Sequence, residues 1–261
     1  MRISHEIPLA YLNQSRQFND YDYALVHLFD TEPKYLQFFK ESIAMGRTVL
    51  LDNSAYEIFT HKDLYQKYNG YYPMDRYKRY ISELRPTEYV LPDVKDKFME
   101  NIEVIIDFYN ENIDLPGRKI GVIHGGNFQE LQDSYDTISK LVDKVAVSFE
   151  GWWFDWAKQN NIPVQRIRFE VLSRLKLNPI IPMHLLGCIL PGEFLLWKGN
   201  AMIESIDTSA PVTNALEGIT FNMNTNYKPQ TTIHSAFNVE WNETTAELIN
   251  HNVNIFKTSL L

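Results

Sequence analysis

The sequence predicts an α/β fold, specifically a single-domain (β/α)8 barrel. Three observations predict it. Apolar runs of strand length alternate with helix-periodic segments along the chain, and the runs are apolar nearly throughout, as strands covered on both faces are. The 261 residues also accommodate eight such units. Alternation of this kind implies parallel strands joined by right-handed crossovers. An open doubly wound sheet is the main alternative. The first apolar run ends on Phe29-Asp30-Thr31-Glu32, which carries no glycine-rich dinucleotide loop, so nothing specific favours that sheet.

Residues 23–29 (Tyr-Ala-Leu-Val-His-Leu-Phe) read as a buried strand. Pro33 is suited to the first helical position, and Tyr35, Leu36, Phe38, Phe39 and Ile43 give a helical stripe that ends at Gly46. A strand over 47–52 follows. Residues 75–84 are helical, with Tyr77, Tyr80, Ile81 and Leu84 at helix spacing, and Arg85-Pro86 ends the run. Then come a strand at 88–93, a helix at 97–110, a strand at 119–124, a helix at 128–142 and a strand at 144–149. The last part gives a helix at 164–175, a strand at 180–187, a short helix at 193–198, a strand at 202–207 and a final helix at 244–256. These are seven strands. Residues 217–221 (Glu-Gly-Ile-Thr-Phe) are the candidate for an eighth.

Composition bounds the function. The formal net charge is −8, whereas nucleic-acid binders usually carry a basic surplus. Two modest basic clusters stand out: Lys62, Lys67, Arg76, Lys78 and Arg79, and Arg166, Arg168, Arg174 and Lys176. Both read first as solvated helix faces. Cys188 is the single cysteine, so neither an intramolecular disulfide nor a Cys-rich zinc site is expected, and no metal or other cofactor is called for. No apolar run is long enough to span a bilayer, and Met1-Arg2-Ile3-Ser4-His5-Glu6 lacks a signal-peptide core. A cytoplasmic protein without a membrane partner is expected.

Four segments end an apolar run on polar residues: Leu50-Leu51-Asp52-Asn53-Ser54-Ala55-Tyr56, Tyr89-Val90-Leu91-Pro92-Asp93, Gly121-Val122-Ile123-His124-Gly125-Gly126 and Met202-Ile203-Glu204-Ser205-Ile206-Asp207. In a barrel of parallel strands these ends share one rim, where active sites lie. Each also has a plainer reading. Asp52 suits an N-cap or Asx turn, as does Asp93, with Asp96 an alternative cap. Gly125-Gly126 suits a turn, and Asp207 can cap the turn at Thr208-Ser209. Recurrence of the pattern makes Asp52, Asp93, His124 and Asp207 the candidate site.

These residues, in this order from about 50 to about 212, resemble the tRNA-guanine transglycosylases and, closer in scale, the 7-deazaguanine DNA transglycosylases of phages and bacteria. Asp52-Asn53-Ser54-Ala55-Tyr56 is similar to that family's Asp-Ser-Gly-Gly-aromatic motif. Asp93 stands where an aspartate reads the base edge. Gly121-Val122-Ile123-His124-Gly125-Gly126, with Phe128-Gln129-Glu130-Leu131 after it, resembles the Gly-Ile-x-Gln-Gly-Gly segment. Ala146-Val147-Ser148-Phe149 resembles a small-residue strand end that touches the base. His184-Leu185-Leu186-Gly187-Cys188 resembles Leu-Met-Gly-Val-Gly, and Ile206-Asp207-Thr208-Ser209-Ala210-Pro211 resembles the nucleophile segment. The chain departs from the pattern at Ala55, His124 and Ser148-Phe149, which replace a glycine, a glutamine and a Gly-Gly pair. It also lacks the Cys-x-Cys-x-x-Cys zinc subdomain that accompanies tRNA binding, which favours DNA or a smaller acceptor.

The resemblance implies exchange of guanine in a nucleic acid, DNA before tRNA, for a free guanine or 7-deazaguanine base. Asp207 would be the nucleophile at C1′, giving a covalent glycosyl-enzyme as in retaining glycosidases. Asp52 would be the general acid–base. Asp93 would accept the N1–H and amino donors of guanine. His124, Gly125, Gly126, Ser148, Phe149 and Gly187 would line the base, and Tyr56 would stack on it. A target in duplex DNA would have to be flipped out. Two other classes stay open: a hydrolase of N-glycosidic bonds that uses the same carboxylates, and a non-catalytic barrel that binds nucleotides or a protein.

Overall fold

The computed structural model describes residues 1–95, 97–188, 190–222 and 229–258. Eight strands form one sheet: β1 (Arg2–His5), β2 (Asp22–Leu25), β3 (Val49–Asp52), β4 (Glu88–Val90), β5 (Arg118–Ile123), β6 (Lys144–Val147), β7 (Met183–Leu185) and β8 (Ile203–Thr208). Their order is β1-β8-β7-β6-β5-β4-β3-β2, and helices separate consecutive strands. The ladders from β2 through β6, and that between β1 and β8, are parallel. The fold is a (β/α)8 barrel. No described helix is long and apolar enough to cross a membrane.

Two differences from the sequence reading have simple causes. The eighth strand is not at 217–221. There the helix Ala210–Leu216 ends, Gly218 turns with φ +72°, and Phe221 drops into the core against the Phe256 ring. The place is taken by β1, Arg-Ile-Ser-His. It has a single strongly apolar residue, but Ile3, Ser4 and His5 are all buried. A strand with buried polar side chains carries no hydrophobic alternation to read. Of the other strands, β5 and β8 keep the expected length, shifted by one residue, and the remaining five are shorter than their apolar runs. Residues 26–30, for instance, wind into a 3-10 turn as soon as β2 ends.

Packing resolves the chain into two compact units, residues 21–150 with 176–183, and residues 1–20 with 151–175 and 184–261. In the first, Leu50, Leu51, Tyr89, Val90, Val122, Ile123 and Ala146 are completely or almost completely buried. Each large aliphatic side chain so placed contributes about 1.5–3 kcal/mol. The helices Pro33–Ala44 and Met74–Leu84 bury an aromatic face. Phe29 meets Tyr80 at 5.3 Å, and Tyr35 meets Phe39 at 4.8 Å. Asp30 is fastened to this layer by the hydroxyls of Tyr68, Tyr72 and Tyr80 and by Arg76.

The N-terminal ends of three neighbouring strands carry buried charge. Glu88 opens β4, Arg118 opens β5 and Lys144 opens β6. The Glu88 carboxylate takes Lys144 Nζ at 2.7 Å and Arg118 Nη1 at 2.8 Å, with Lys144 and Glu88 almost wholly buried. Charges so placed are tolerable only when paired.

In the other unit, Ile3 pairs with Ile206, Ser4 with Asp207 and His5 with Thr208 across β1 and β8. The helix Glu243–Thr258 brings Phe256 against Phe194 and His5, and Asn252 caps the turn at Phe221. Arg168 departs from the solvated face expected of it. It is fully buried and donates to Glu193 at 2.7 Å.

Replacing Glu88 by alanine leaves the Lys144 ammonium buried without its carboxylate. The expected loss is about 3–5 kcal/mol of unfolding free energy, read from urea-unfolding curves. A loss below about 1 kcal/mol is what a solvated surface pair gives, and would contradict the burial.

Candidate active site

Within the unit of residues 21–150 and 176–183, the C-terminal ends of β3, β4, β5 and β6 lead into four short segments that carry the candidate residues. The first is a corner. Asp52 closes β3, and its Oδ1 accepts the Ser54 N–H at 2.6 Å. Asn53 Oδ1 accepts the Ala55 N–H at 2.8 Å. These two Asx turns open the helix Ala55–Thr60 and realise the plainer reading of Asp52. Asp52 Oδ2 also accepts the Tyr23 hydroxyl at 2.8 Å, and the Asp52 side chain is buried. Ser54 sits in the left-handed region at φ +62°, with its Oγ accepting the His27 N–H.

Asn53 reaches across to the next strand end. Its Nδ2 donates to Leu91 O and to Asp93 Oδ1, both at 2.7 Å. The other Asp93 oxygen meets His124 Nε2 at 2.7 Å, and His124 Nδ1 is hydrogen-bonded to Glu150. A continuous line therefore runs Asn53–Asp93–His124–Glu150 across four strand ends. The His124 and Glu150 side chains are 2% and 3% exposed, and that of Asp93 is 8%. Asp96, the alternative cap, lies outside the described residues.

Burial alone would depress the His124 pKa. Its hydrogen bonds to Asp93 and Glu150, and the charges of both carboxylates, outweigh burial and raise it to about 9. At neutral pH the ring is an imidazolium donating from both nitrogens, to Asp93 on one side and Glu150 on the other. Each carboxylate oxygen can accept two hydrogen bonds. Asp93 thus keeps acceptor capacity beyond its bonds to Asn53 and His124.

The remaining sequence candidates in this unit are arranged as follows. Gly125 lies against the start of the helix Phe128–Ile138, where a Cβ would come within 2.5 Å of Leu131 N. Its glycine is required by backbone packing. The Gly126 N–H donates to Glu130 Oε2, part of the capping of that helix with Asn127. Ser148 Oγ is buried without a hydrogen-bond partner among the described residues, and Phe149 follows it. Tyr56 is 57% exposed, and the Lys95 ammonium stands 5.1 Å from its ring centroid and 5.8 Å from that of Phe59.

Asp207 belongs to the other unit, where it is the last residue but one of β8 and is buried. The Gly187 N–H lies 3.1 Å from each Asp207 oxygen, and His184 Nε2 lies 3.1 Å from Oδ1. A carboxylate only accepts, so His184 donates through Nε2, and its Nδ1 takes the Ser205 hydroxyl at 2.9 Å. Gly187 turns at φ +59°, which suits glycine, and this aims its N–H at Asp207. Arg168 Nη1 anchors the preceding Leu186 carbonyl at 2.7 Å, and the Cys188 N–H donates to Asp207 O. Gly187 is thereby a support of Asp207.

Asn53, Tyr23, Glu150, His184 and Ser205 escaped the sequence reading. Asn53, Glu150 and His184 lie inside or beside segments already singled out, and their polarity within apolar runs was the available signal. Ser205 also lies inside such a segment, whereas Tyr23 gave no signal, since it read as an ordinary strand residue.

Two buried histidines give stability opposite pH limbs. His124, with its pKa raised, stabilises fully below about pH 6.5 and loses that contribution as pH rises through about 9. His5 is held near 4, because burial outweighs its bond to Asn19. It stabilises above about 6.5 and loses that contribution as pH falls toward 4. The difference in thermal midpoint between the protein and His124→Gln should therefore shrink from about pH 6.5 to about pH 9. A constant difference across that range would contradict the protonated ring.

No protein-family model matches the chain, and no curated protein matches it. Among solved structures, the chain is similar to tryptophan synthase from M. tuberculosis, with a TM-score of 0.44 and 11% identical residues over 88% of this chain and 68% of that one.

Proposed function

We propose that the chain is a cytoplasmic transglycosylase. It would exchange guanine in a nucleic acid, DNA before tRNA, for a 7-deazaguanine base through a covalent aspartyl-glycosyl intermediate. The observation that carries this reading is the placement of Asp93. A side chain whose two oxygens are fixed by Asn53 and by His124, with lone pairs to spare, is an acceptor suited to the paired N1–H and 2-amino donors of a guanine edge. Ser148 supports it, since a buried hydroxyl with no partner among the described residues suits a site completed by a ligand.

The chemistry assigns Asp207 as nucleophile. Its Oδ1 accepts from both His184 and Gly187, whereas Oδ2 shares only the Gly187 N–H, so Oδ2 is the freer to attack. In the first half-reaction Asp207 bonds to C1′ and the C1′–N9 bond breaks. The electron pair leaves with the guanine, which takes a proton from Asp52. In the second, Asp52 removes the N9 proton of the incoming base. N9 bonds to C1′, and the electron pair of the C1′–O bond returns to Asp207. Tyr56, with Lys95 beside its ring, offers a stacking surface and a positive charge for a strand.

The test is base exchange, with labelled guanine or a 7-deazaguanine offered to DNA, tRNA and nucleosides. Incorporation is expected. Asp207→Asn should abolish incorporation and any covalent adduct with the fold intact, because an amide cannot serve as the nucleophile. Asp52→Asn should slow exchange about 10²–10⁴-fold. Asp93→Ala should act mainly on KM for the base, because it leaves buried donors of the base unpaired. Wild-type exchange by Asp207→Asn would remove the covalent route, and release of free base without incorporation would make the protein a hydrolase.

A further inference from the structure

Glu150 has no part in the exchange chemistry just described, yet it is one of the most buried carboxylates among the described residues and bonds directly to His124. A neutral imidazole carries one N–H. Here a carboxylate faces each ring nitrogen, so a neutral ring would turn a bare lone pair toward one of the two anions in a site nearly closed to water. Only a doubly protonated ring satisfies both. We propose that Glu150 is a positioning residue for base selection. Held against the far nitrogen of His124, it obliges the ring to donate from both sides, so that Asp93 meets the base as a fixed, proton-free acceptor that favours bases with two adjacent N–H donors over bases with one. The selectivity part rests on the reading of Asp93 as the base-edge acceptor.

Other surroundings of the ring leave this logic intact. The His124 N–H goes to the Ser134 hydroxyl from the helix Phe128–Ile138, a group that does not titrate. Asn53, on the far side of Asp93, is neutral and fixes the other oxygen. Tyr77, from the helix Met74–Leu84, feels the charges of Asp52 and Asp93. It is kept protonated by burial and spends its hydroxyl proton on Val90 O at 2.6 Å. The raised pKa of His124 agrees with the geometry. Were Asp93 to take up the proton instead, its O–H would be a donor facing the donors of guanine, and the preference for a 2-amino group would be lost.

The test uses the full-length protein and Glu150→Gln, which keeps the shape and removes the charge. Imidazole ¹⁵N resonances of His124 are followed by NMR from about pH 6 to about pH 9, beside exchange kinetics with guanine and with hypoxanthine, which lacks the 2-amino group. In the wild type both ring nitrogens should stay protonated past about pH 8. In Glu150→Gln the ring should titrate at least about one pH unit lower. KM for guanine in the variant should then rise about tenfold toward the alkaline end while kcat changes less, and the preference for guanine over hypoxanthine should narrow. His124→Gln, which cannot titrate, should show no such pH dependence. An unmoved His124 titration in Glu150→Gln, or a KM that follows the wild-type profile, overturns the proposal. If the wild type exchanges no base, the proposed function falls and the selectivity claim with it, while the NMR titration, which needs no turnover, still decides whether Glu150 sets the charge. If Glu150→Gln fails to fold by circular dichroism, the wild-type titration decides alone, and loss of the second ring proton below about pH 7.5 overturns the assignment.

Discussion

Register at the start of β4, β5 and β6 is the constraint on which the candidate site depends. Glu88, Arg118 and Lys144 are each the first residue of their strand, and the ion pairs among them allow no slip. A shift of one residue would turn the apolar faces around and leave a charge buried alone. From Glu88 to Asp93, from Arg118 to His124 and from Lys144 to Glu150 the chain advances five or six residues, about 17–20 Å of strand. Glu88 is level with Arg118 and Lys144 with Ile120, and this fixed register carries Asp93, His124 and Glu150 to the same end of the sheet, where Asp93 and Glu150 meet the two sides of the His124 ring. The charged start of the strands is therefore a structural device, and the charged finish is the part to which the proposed chemistry is assigned. Parallel β/α proteins commonly separate stability and function between strand ends in this way.

Four aspartates show how much the same side chain depends on its partners. Asp30 is saturated by three tyrosines and an arginine, and serves as a knot in the aromatic layer. Asp52 shapes a corner through the Ser54 amide and the Tyr23 hydroxyl. Asp93 is gripped at both oxygens by side chains that are themselves held. Asp207 has a backbone N–H and a histidine whose other nitrogen is held by Ser205. In the proposed chemistry the last three act respectively as acid–base, reader and nucleophile, and the partners that hold them are surroundings the sequence does not display.

Strand–helix alternation was legible in the sequence because seven strands are apolar and the helices between them have striped faces. The missing strand was illegible for the converse reason. In β1, Ser4 and His5 are buried as polar residues, and His5 bonds through its backbone N–H and its Nδ1 to Asn19, fourteen positions away. Residues 217–221 misled because Ile219 and Phe221 mimic alternation, while the carbonyl of Ile219 and the amide of Phe221 are bonded to Asn252 and not to a neighbouring strand. Polar strand ends were visible one at a time. Their joining through Asn53 and Glu150 was not, since a contact between residues 40 or 26 positions apart leaves no local trace. Arg168 was misread because a lone arginine on a helix looks alike whether it faces water or Glu193.

Ser54 has a bearing on how this corner tolerates mutational drift. Its left-handed backbone costs a serine about 1 kcal/mol relative to glycine, and that cost is offset by the N–H bond to Asp52 and the Oγ bond to His27. A glycine would relieve the strain but keep only the first bond, and it would enlarge the freedom of the unfolded chain. The two opposed effects are of similar size, so serine, asparagine and glycine are nearly interchangeable for the backbone at this position. A β-branched residue is not. What distinguishes serine is the tie to His27, which joins the turn after β2 to the turn after β3. Exchange at this single position can therefore loosen or tighten the link between two neighbouring loops while leaving the carboxylate of Asp52 in place.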